Sequence, residues 1–343
     1  MEVFMSGIGA DIGTCFLVSA RQDANNEIEI KSIRDAFIDM EADSSIKNML
    51  KRSKIDFIDS EDKIYIVGDN ALTLANMFKR EARRPLSKGV IAPGELEAER
   101  ILLILLENVL GKAKKPEETC FYSVPAAPVD RSIDIVYHQA MFSKFIGQLG
   151  YKPIALNEAA AIVYSNAAKE QFSALSISCG AGMVNICLMY QTLIGMAFSI
   201  SKSGDWLDES TAKATGTTAS RIAAIKERGL NLMDVNEGDQ KNFREREALS
   251  IYYKSLILQI LDTIKKEFIK HQSTIELPHS IPIILSGGTS LAKGFKELFE
   301  EGFNSVKKNF PIPISEIRMA TAPLNAVAQG LLVAAMNHDE GQN

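Results

Sequence analysis

No apolar stretch in this chain approaches the length a bilayer demands. Its longer apolar runs, such as residues 101–106 and 281–285, fall far short of the roughly 20 residues of a spanning helix. Cysteine is scarce, with four in 343 residues. Cys15, Cys120, Cys179 and Cys187 contain no C-x-x-C pair, and the four histidines make no H-E-x-x-H arrangement. A disulfide framework or structural zinc centre is therefore not expected. Excess positive charge is missing too. Lys and Arg number 38 against 43 Asp and Glu, a net charge of −5, which gives no basic field for duplex nucleic acid. The basic cluster Lys79, Arg80, Arg83 and Arg84 reads as a solvated helix face. Residues 1–8 lack the basic flank, the apolar run and the small-residue cleavage site of a secretory signal, so the expected location is the cytoplasm. The apolar start Val3, Phe4 and Met5 is too short for an interfacial helix, and direct membrane binding is not expected.

What the chain does have is the composition of an ordinary globular protein, 46% hydrophobic and 24% charged. At this length it can bury one large core or two medium ones, and length alone favours two. Residues 7–20 read as a hairpin, with the turn Gly9-Ala10-Asp11-Ile12-Gly13-Thr14 between apolar segments. Residues 174–188 repeat that device around Cys179-Gly180-Ala181-Gly182. Two copies suggest a duplicated domain, and a site between them could receive backbone donors from both sides.

Between the copies, the polar stretch 31–63 and the strand-like run 64–67 suggest a small inserted subdomain. Residues 95–110 read as a helix with Leu96, Arg100, Leu103, Leu106 and Leu110 at helical spacing and Gly111 at its end. A buried strand over 120–124, stopped by Pro125, and a helix over 132–149 follow. The longest helical signal is 245–271, with Ile257, Ile260, Leu261, Ile264 and Phe268 on one stripe. A strand at 281–285 then runs into Ser286-Gly287-Gly288-Thr289-Ser290 and a helix carrying Leu291, Phe295, Leu298 and Phe299. Strand, glycine turn and helix amino terminus together let backbone N–H groups approach a phosphate. Strands alternating with helices make this an α/β protein.

Each glycine turn alone is ordinary turn chemistry; their order says more. Asp11-Ile12-Gly13-Thr14, Leu156-Asn157-Glu158-Ala159-Ala160, Cys179-Gly180-Ala181-Gly182, Leu285-Ser286-Gly287-Gly288-Thr289 and the run from Pro323 to Gly330 follow one another along the chain. That order resembles the actin, DnaK-type chaperone and sugar kinase superfamily: first phosphate loop, first connecting helix, second phosphate loop, adenosine loop and second connecting helix. Arg84-Pro85-Leu86-Ser87-Lys88-Gly89-Val90-Ile91, Val67-Gly68-Asp69-Asn70-Ala71 and Gly204-Asp205-Trp206-Leu207-Asp208-Glu209 are most similar to bacterial actins of the MreB/MamK type. The resemblance spans about residues 7–335.

It implies two ribonuclease-H-like domains with a nucleotide cleft between them, holding ATP or ADP with Mg2+. The corresponding division is 1–32, 84–165 and 315–343 for the first domain core and 33–83 for its insert. The second core takes 166–205 and 245–314, and 206–244 forms a reduced insert. Asp11 would hold the metal through water, as suits a hard cation that keeps its hydration; the alternative is a turn-stabilising Asx residue. Glu158 would orient or deprotonate the attacking water; the alternative is a solvated helix acid. The resemblance places the nucleotide against Gly13, Thr14, Cys15, Gly180, Ala181, Gly182, Met183, Gly204, Asp205, Gly287, Gly288 and Thr289. Lys226 is a further candidate, with a solvated helix lysine as the bland reading. Cys15 and Cys179 read most simply as small residues in tight turns, and Met183 as core filler.

The second phosphate loop departs from the superfamily pattern. Its opening acid falls on Ser178, two threonines fall on Met183 and Val184, and a later Asp falls on Asn185. Losing such an acid is expected to weaken metal organisation by roughly 10–100-fold, about 1.4–2.7 kcal/mol in barrier terms. Segment 204–287 is also shorter than in MreB-type chains, so the second insert should be trimmed. Three functions compete: a head-to-tail filament of the protein with itself, served by adaptor proteins and turning ATP over slowly; a non-polymerising kinase or ATPase; and a nucleotide-binding scaffold. A chaperone would need a substrate-binding domain after the last motif, and no substrate base for a kinase is evident.

Overall fold

A computed structural model describes residues 7–60, 62–78, 80–237, 240–271 and 277–340. The amino-terminal apolar residues and Lys79 lie outside the described residues. The first half begins with the meander β1 (Gly7–Ile12), β2 (Phe16–Gln22) and β3 (Ile28–Arg34). An insert follows: β4 (Phe37–Glu41), α1 (Ser44–Arg52), β5 (Ile58–Ser60), β6 (Lys63–Val67) and α2 (Asp69–Met77). The chain returns through β7 (Leu86–Ser87), β8 (Val90–Ile91), α3 (Ala98–Leu110), β9 (Thr119–Val124), α4 (Ile135–Gln148), β10 (Lys152–Asn157) and α5 (Glu158–Asn166). The second half opens with another meander, β11 (Ala174–Cys179), β12 (Val184–Tyr190) and β13 (Leu193–Ile200), then α6 (Gly204–Thr215), α7 (Ala219–Glu227) and α8 (Phe243–His271). It closes with β14 (Ile281–Ser286), α9 (Phe295–Val306), β15 (Ile314–Met319) and α10 (Ala326–Glu340).

The two large sheets are built alike. One has the order β10-β9-β1-β2-β3 and the other β13-β12-β11-β14-β15. In each, three antiparallel strands are joined by two further strands parallel to the first. The parallel steps need crossovers, and α4 and α9 supply one in each half. The repeat expected from the two glycine turns is therefore a repeat of whole domains, in an α/β, actin-like architecture.

Each sheet has its own core. Beside the second sheet, α8 buries Ile257, Ile260, Leu261, Ile264 and Phe268, the stripe expected from the sequence. Each such side chain contributes about 1.5–3 kcal/mol by leaving water, so a charge at Ile260 would unseat this half. A third apolar cluster joins the halves, where α5 and α10 cross. Ala159, Ala160 and Ala161 are fully buried, and a Cβ on Gly330 would overlap the Ala161 carbonyl oxygen. α5 and α10 thus touch backbone to backbone where the two halves meet.

Three local expectations are corrected. α3 starts at Ala98, leaving Leu96 97% exposed, and its buried face is Ile101, Leu102, Leu105, Leu106, Val109 and Leu110. The glycine turn after β14 does not enter a helix directly: a 3-10 turn, Gly288–Leu291, intervenes and α9 begins at Phe295. Arg80, Arg83 and Arg84 lie past the end of α2 rather than on a helix face. Arg83 there bridges Phe37 on β4.

Candidate functional site

Both meanders turn back at the same point, so the β1–β2 and β11–β12 turns face each other across a cleft of about 510 Å3. The first turn is held from below by β9. Ser123 accepts a hydrogen bond from the Ile12 N–H at 2.7 Å and donates its hydroxyl to Asp11 Oδ1 at 2.9 Å. Gly13 closes the turn by donating to the Phe16 carbonyl. Thr14 Oγ1 accepts from the Gly89 N–H at 3.1 Å, tying the turn to the β7–β8 hairpin.

The second turn closes through the Gly180 N–H to the Met183 carbonyl at 3.0 Å. Gly182 packs so closely that a Cβ would overlap both Gly89 N and Thr14 Oγ1. The third loop follows β14. Gly287 has φ +89° and lies against the Cys179 backbone, where a side chain would collide; glycine alone meets both conditions. Thr289 donates its hydroxyl to the Gly180 carbonyl at 2.8 Å, which ties the third loop to the second turn. Tyr253 of α8 fixes Thr289 from behind through a 3.2 Å bond to its carbonyl.

Glu158 opens α5, whose N-cap Asn157 accepts from the Ala160 N–H at 3.0 Å. Its carboxylate is gripped on both oxygens: Ser178 donates to Oε1 at 2.7 Å and the Asn185 amide to Oε2 at 2.8 Å. Burial pushes the Glu158 carboxyl well up, and the neighbouring Asp11 charge adds to this. Burial raises Asp11 in turn, and the hydrogen bond from Ser123 opposes that rise only in part. Two carboxyls pushed up in one cleft form an environment that positive charge would relieve. No group of three or more His, Cys, Asp or Glu side chains converges anywhere among the described residues. A dehydrated metal cage is therefore absent there, whereas one or two carboxylates facing a hydrated cation beside phosphates is the pattern that Mg2+ favours.

Asp11, Gly13, Thr14, Cys15, Glu158, Gly180, Ala181, Gly182, Met183, Lys226, Gly287, Gly288 and Thr289 all line this one cleft. Gly204 and Asp205 do not. Their N–H groups, at the start of α6, donate to the Gly180 and Ala181 carbonyls, so they buttress the second turn from outside. Asp205 also accepts a two-pronged bond from Arg84 at 2.9 and 3.2 Å, a pair that spans the two halves. Lys226 is not a solvated lysine: its side chain is 15% exposed and its Nζ sits 2.8 Å from the Asp208 carboxylate. Met183 and Cys179 are buried, and burial pushes the Cys179 thiol up to about 12. Neither behaves as a reactive group.

Three residues in or beside the cleft are not foreseen from the sequence. Arg34, at the end of β3, stacks over Phe16 at 4.4 Å and reaches 3.8 Å from Glu227 in the opposite half. Glu227 follows Lys226 directly, so an adjacent lysine and acid ahead of Gly229 was the available signal. Ser123, next to last in the buried strand β9, carried no signal at all.

The geometry agrees with a match along almost the whole chain. A family model described as Volactin covers residues 5–335. The chain belongs to the Volactin family. No curated protein matches it. Among solved structures it is similar to a MamK double helical filament, 17% identical with a TM-score of 0.67, over 97% of this chain and 98% of that one. A non-polymerising point mutant of MamK bound to AMPPNP matches at 17% identity and TM-score 0.56, over 96% and 98%. The ethanolamine utilization protein EutJ from Carboxydothermus hydrogenoformans matches at 14% and 0.53, over 95% and 89%. At these identities the likeness shows the fold: this Volactin-family chain has the actin-like two-domain fold of MamK and EutJ. Among the described residues no helix is long and apolar enough to cross a membrane.

Proposed function

We propose that this chain is a cytoplasmic actin-like cytoskeletal protein that binds ATP with Mg2+ in the cleft and assembles with itself into filaments, hydrolysing ATP slowly. The observation that carries the reading is the convergence of two glycine turns, a third glycine loop and the carboxyls of Asp11 and Glu158 on one cleft. Two solved structures of the same fold support it, one a double helical filament and one bound to AMPPNP.

In this reading Gly13 and Gly180 shape the two turns through their own N–H bonds, and the backbones around Thr14 and Cys15 and around Ala181, Gly182 and Met183 offer N–H groups to the phosphates from opposite sides. Gly287, Gly288 and Thr289 leave room at the adenosine end, with Lys226 and Glu227 beyond them. Asp11 would hold the cation through bound water. A bound Mg2+ would neutralise phosphate charge and lower the proton affinity of both carboxyls. Glu158, as carboxylate, accepts a hydrogen bond from the water aimed at the γ-phosphorus and takes its proton as the water oxygen bonds to phosphorus and the bond from phosphorus to the β,γ-bridging oxygen breaks, ADP leaving with that oxygen. The division at residues 33, 84, 166, 206, 245 and 315 follows the same reading. Each half carries one phosphate loop, so nucleotide bridges the halves and sets their angle. Copies joined head to tail by contacts that do not close a ring give open polymers; adaptor proteins would then address the filament.

Neutral Ser178 and Asn185 favour a second reading, a non-polymerising ATP-binding protein of the same superfamily. Sedimentation and electron microscopy with ATP and magnesium, beside phosphate release on the same sample, separate the two. Filaments with slow release support the first; monomers at every protein and salt concentration, with ATP bound, support the second.

A further inference from the structure

We propose that Ser178 and Asn185 are positioning residues for Glu158, so that this chain has given up an acid in its second phosphate loop and gained a two-point grip on the residue that aims the water. The inference rests on the hydrolytic part of the reading above.

Ser178 and Asn185 are direct cross-strand partners in the β11–β12 ladder. Cross-strand partners project from the same face of a sheet, and here that face meets the first residue of α5. Both side chains are almost wholly buried, so neither hydrogen bond is traded for water. Each Glu158 oxygen receives one neutral donor, at 2.7 and 2.8 Å. Neutral donors to a carboxylate fix its plane without competing for a cation. An aspartate at position 178 would instead set a second carboxylate against Glu158 Oε1, where the hydroxyl now lies.

The grip also reaches the other half. Asn185 Oδ1 accepts from the Ala126 N–H at 3.1 Å, on the segment that follows β9. That segment is laced to β13: Ser199 donates its N–H to the Ala127 carbonyl and its hydroxyl to the Ala126 carbonyl, and the Val129 N–H returns to the Ser199 carbonyl. The Asn185 amide therefore donates to Glu158 with one end and holds the domain junction with the other. The orientation of Glu158 follows the angle between the halves, which is how closure around nucleotide would complete the water-aiming geometry.

Four variants of the full chain test this by steady-state phosphate release and ATP titration with magnesium. Ser178→Ala should lower kcat about tenfold, as expected for losing one hydrogen bond to a charged group, with KM within twofold. Ser178→Thr should restore kcat to within about threefold, because it keeps the hydroxyl. Asn185→Asp keeps the acceptor for Ala126 but replaces the amide donor with a second buried carboxyl against Glu158 Oε2, and should lower kcat at least as much as Ser178→Ala and lower the melting temperature as well. Ser178→Asp should lower kcat, not raise it. Ser178→Ala with wild-type kcat, or Ser178→Asp with a higher one, overturns the inference and leaves ATP hydrolysis standing. A wild type that binds ATP and releases no phosphate overturns both.

Discussion

The two walls of the cleft have the same strand order and opposite chemistry. On the first, the β1–β2 turn carries an acid, Asp11, backed by the Ser123 hydroxyl. On the second, the equivalent β11–β12 ladder carries Ser178 and Asn185, which spend their donors on Glu158. Backbone geometry is the shared part, because turns that close through Gly13 and Gly180 depend on ladder and glycine alone. Charge is free to diverge, since one side chain at a turn alters neither strand order nor core. In the proposed reading the second wall serves hydrolysis through Glu158 instead of through the cation.

Breaking the first wall should have the largest effect. Asp11→Asn removes the carboxylate offered to the cation and should cut magnesium-dependent phosphate release by about 100-fold or more, the scale of losing a preorganised electrostatic group; a loss under tenfold would make the walls equivalent. Next comes the gap between the turns. Gly182→Ala drives a methyl into Gly89 N and Thr14 Oγ1, and should cost about 1–3 kcal/mol of stability as overpacking does, read by denaturant melts, with weaker ATP binding by titration.

The pH dependence sharpens the contrast. Asp11 and Glu158 are carboxyls raised in the folded state, so the folded protein holds protons that the unfolded chain has released. In the nucleotide-free protein these two groups therefore contribute stability that is fully present below the ordinary carboxylate range and is lost as pH rises from about 4 through neutrality. Asp11→Asn should flatten that slope in melts taken across pH 5 to 8, and the neutral Ser178→Ala should not. His138 gives a signal of opposite sign: buried against Phe142, it is pushed down to about 4. It withdraws stability as pH falls from about 6.5 towards 4, and His138→Leu should abolish that acid-side loss. The smallest effect is expected at the cross-cleft ion pair, where Arg84→Lys loses the two-pronged fit to Asp205. An exposed pair of this kind contributes about 1 kcal/mol or less, so nucleotide release should quicken only a few-fold in stopped flow.

Much of this was legible in the chain. The glycine turn that recurs along the chain pointed to the repeated meander, and the resemblance of the motif order to the actin superfamily implied the cleft. What failed had physical reasons. In α3 the run Ile101-Leu102-Leu103-Ile104-Leu105-Leu106 is apolar on every side, so periodicity cannot fix which leucines face inward; the chain's entry past Pro93 and Gly94 does, leaving Leu96 in water. Lys226 looked solvated because Asp208 lies on another helix, and only the packing of α6 against α7 brings them together. Arg84 and Asp205, 121 residues apart, carry no mutual signal. The serine and asparagine of the second wall looked like losses, since a sequence shows which acid is missing and not which carboxylate the replacements hold.

The most direct test is sedimentation of one wild-type sample with magnesium, with and without ATP, its pellets viewed by electron microscopy. Filaments that form with ATP and not without it are predicted. Equal pelleting without nucleotide, or none with it, would contradict a cleft whose occupancy controls assembly.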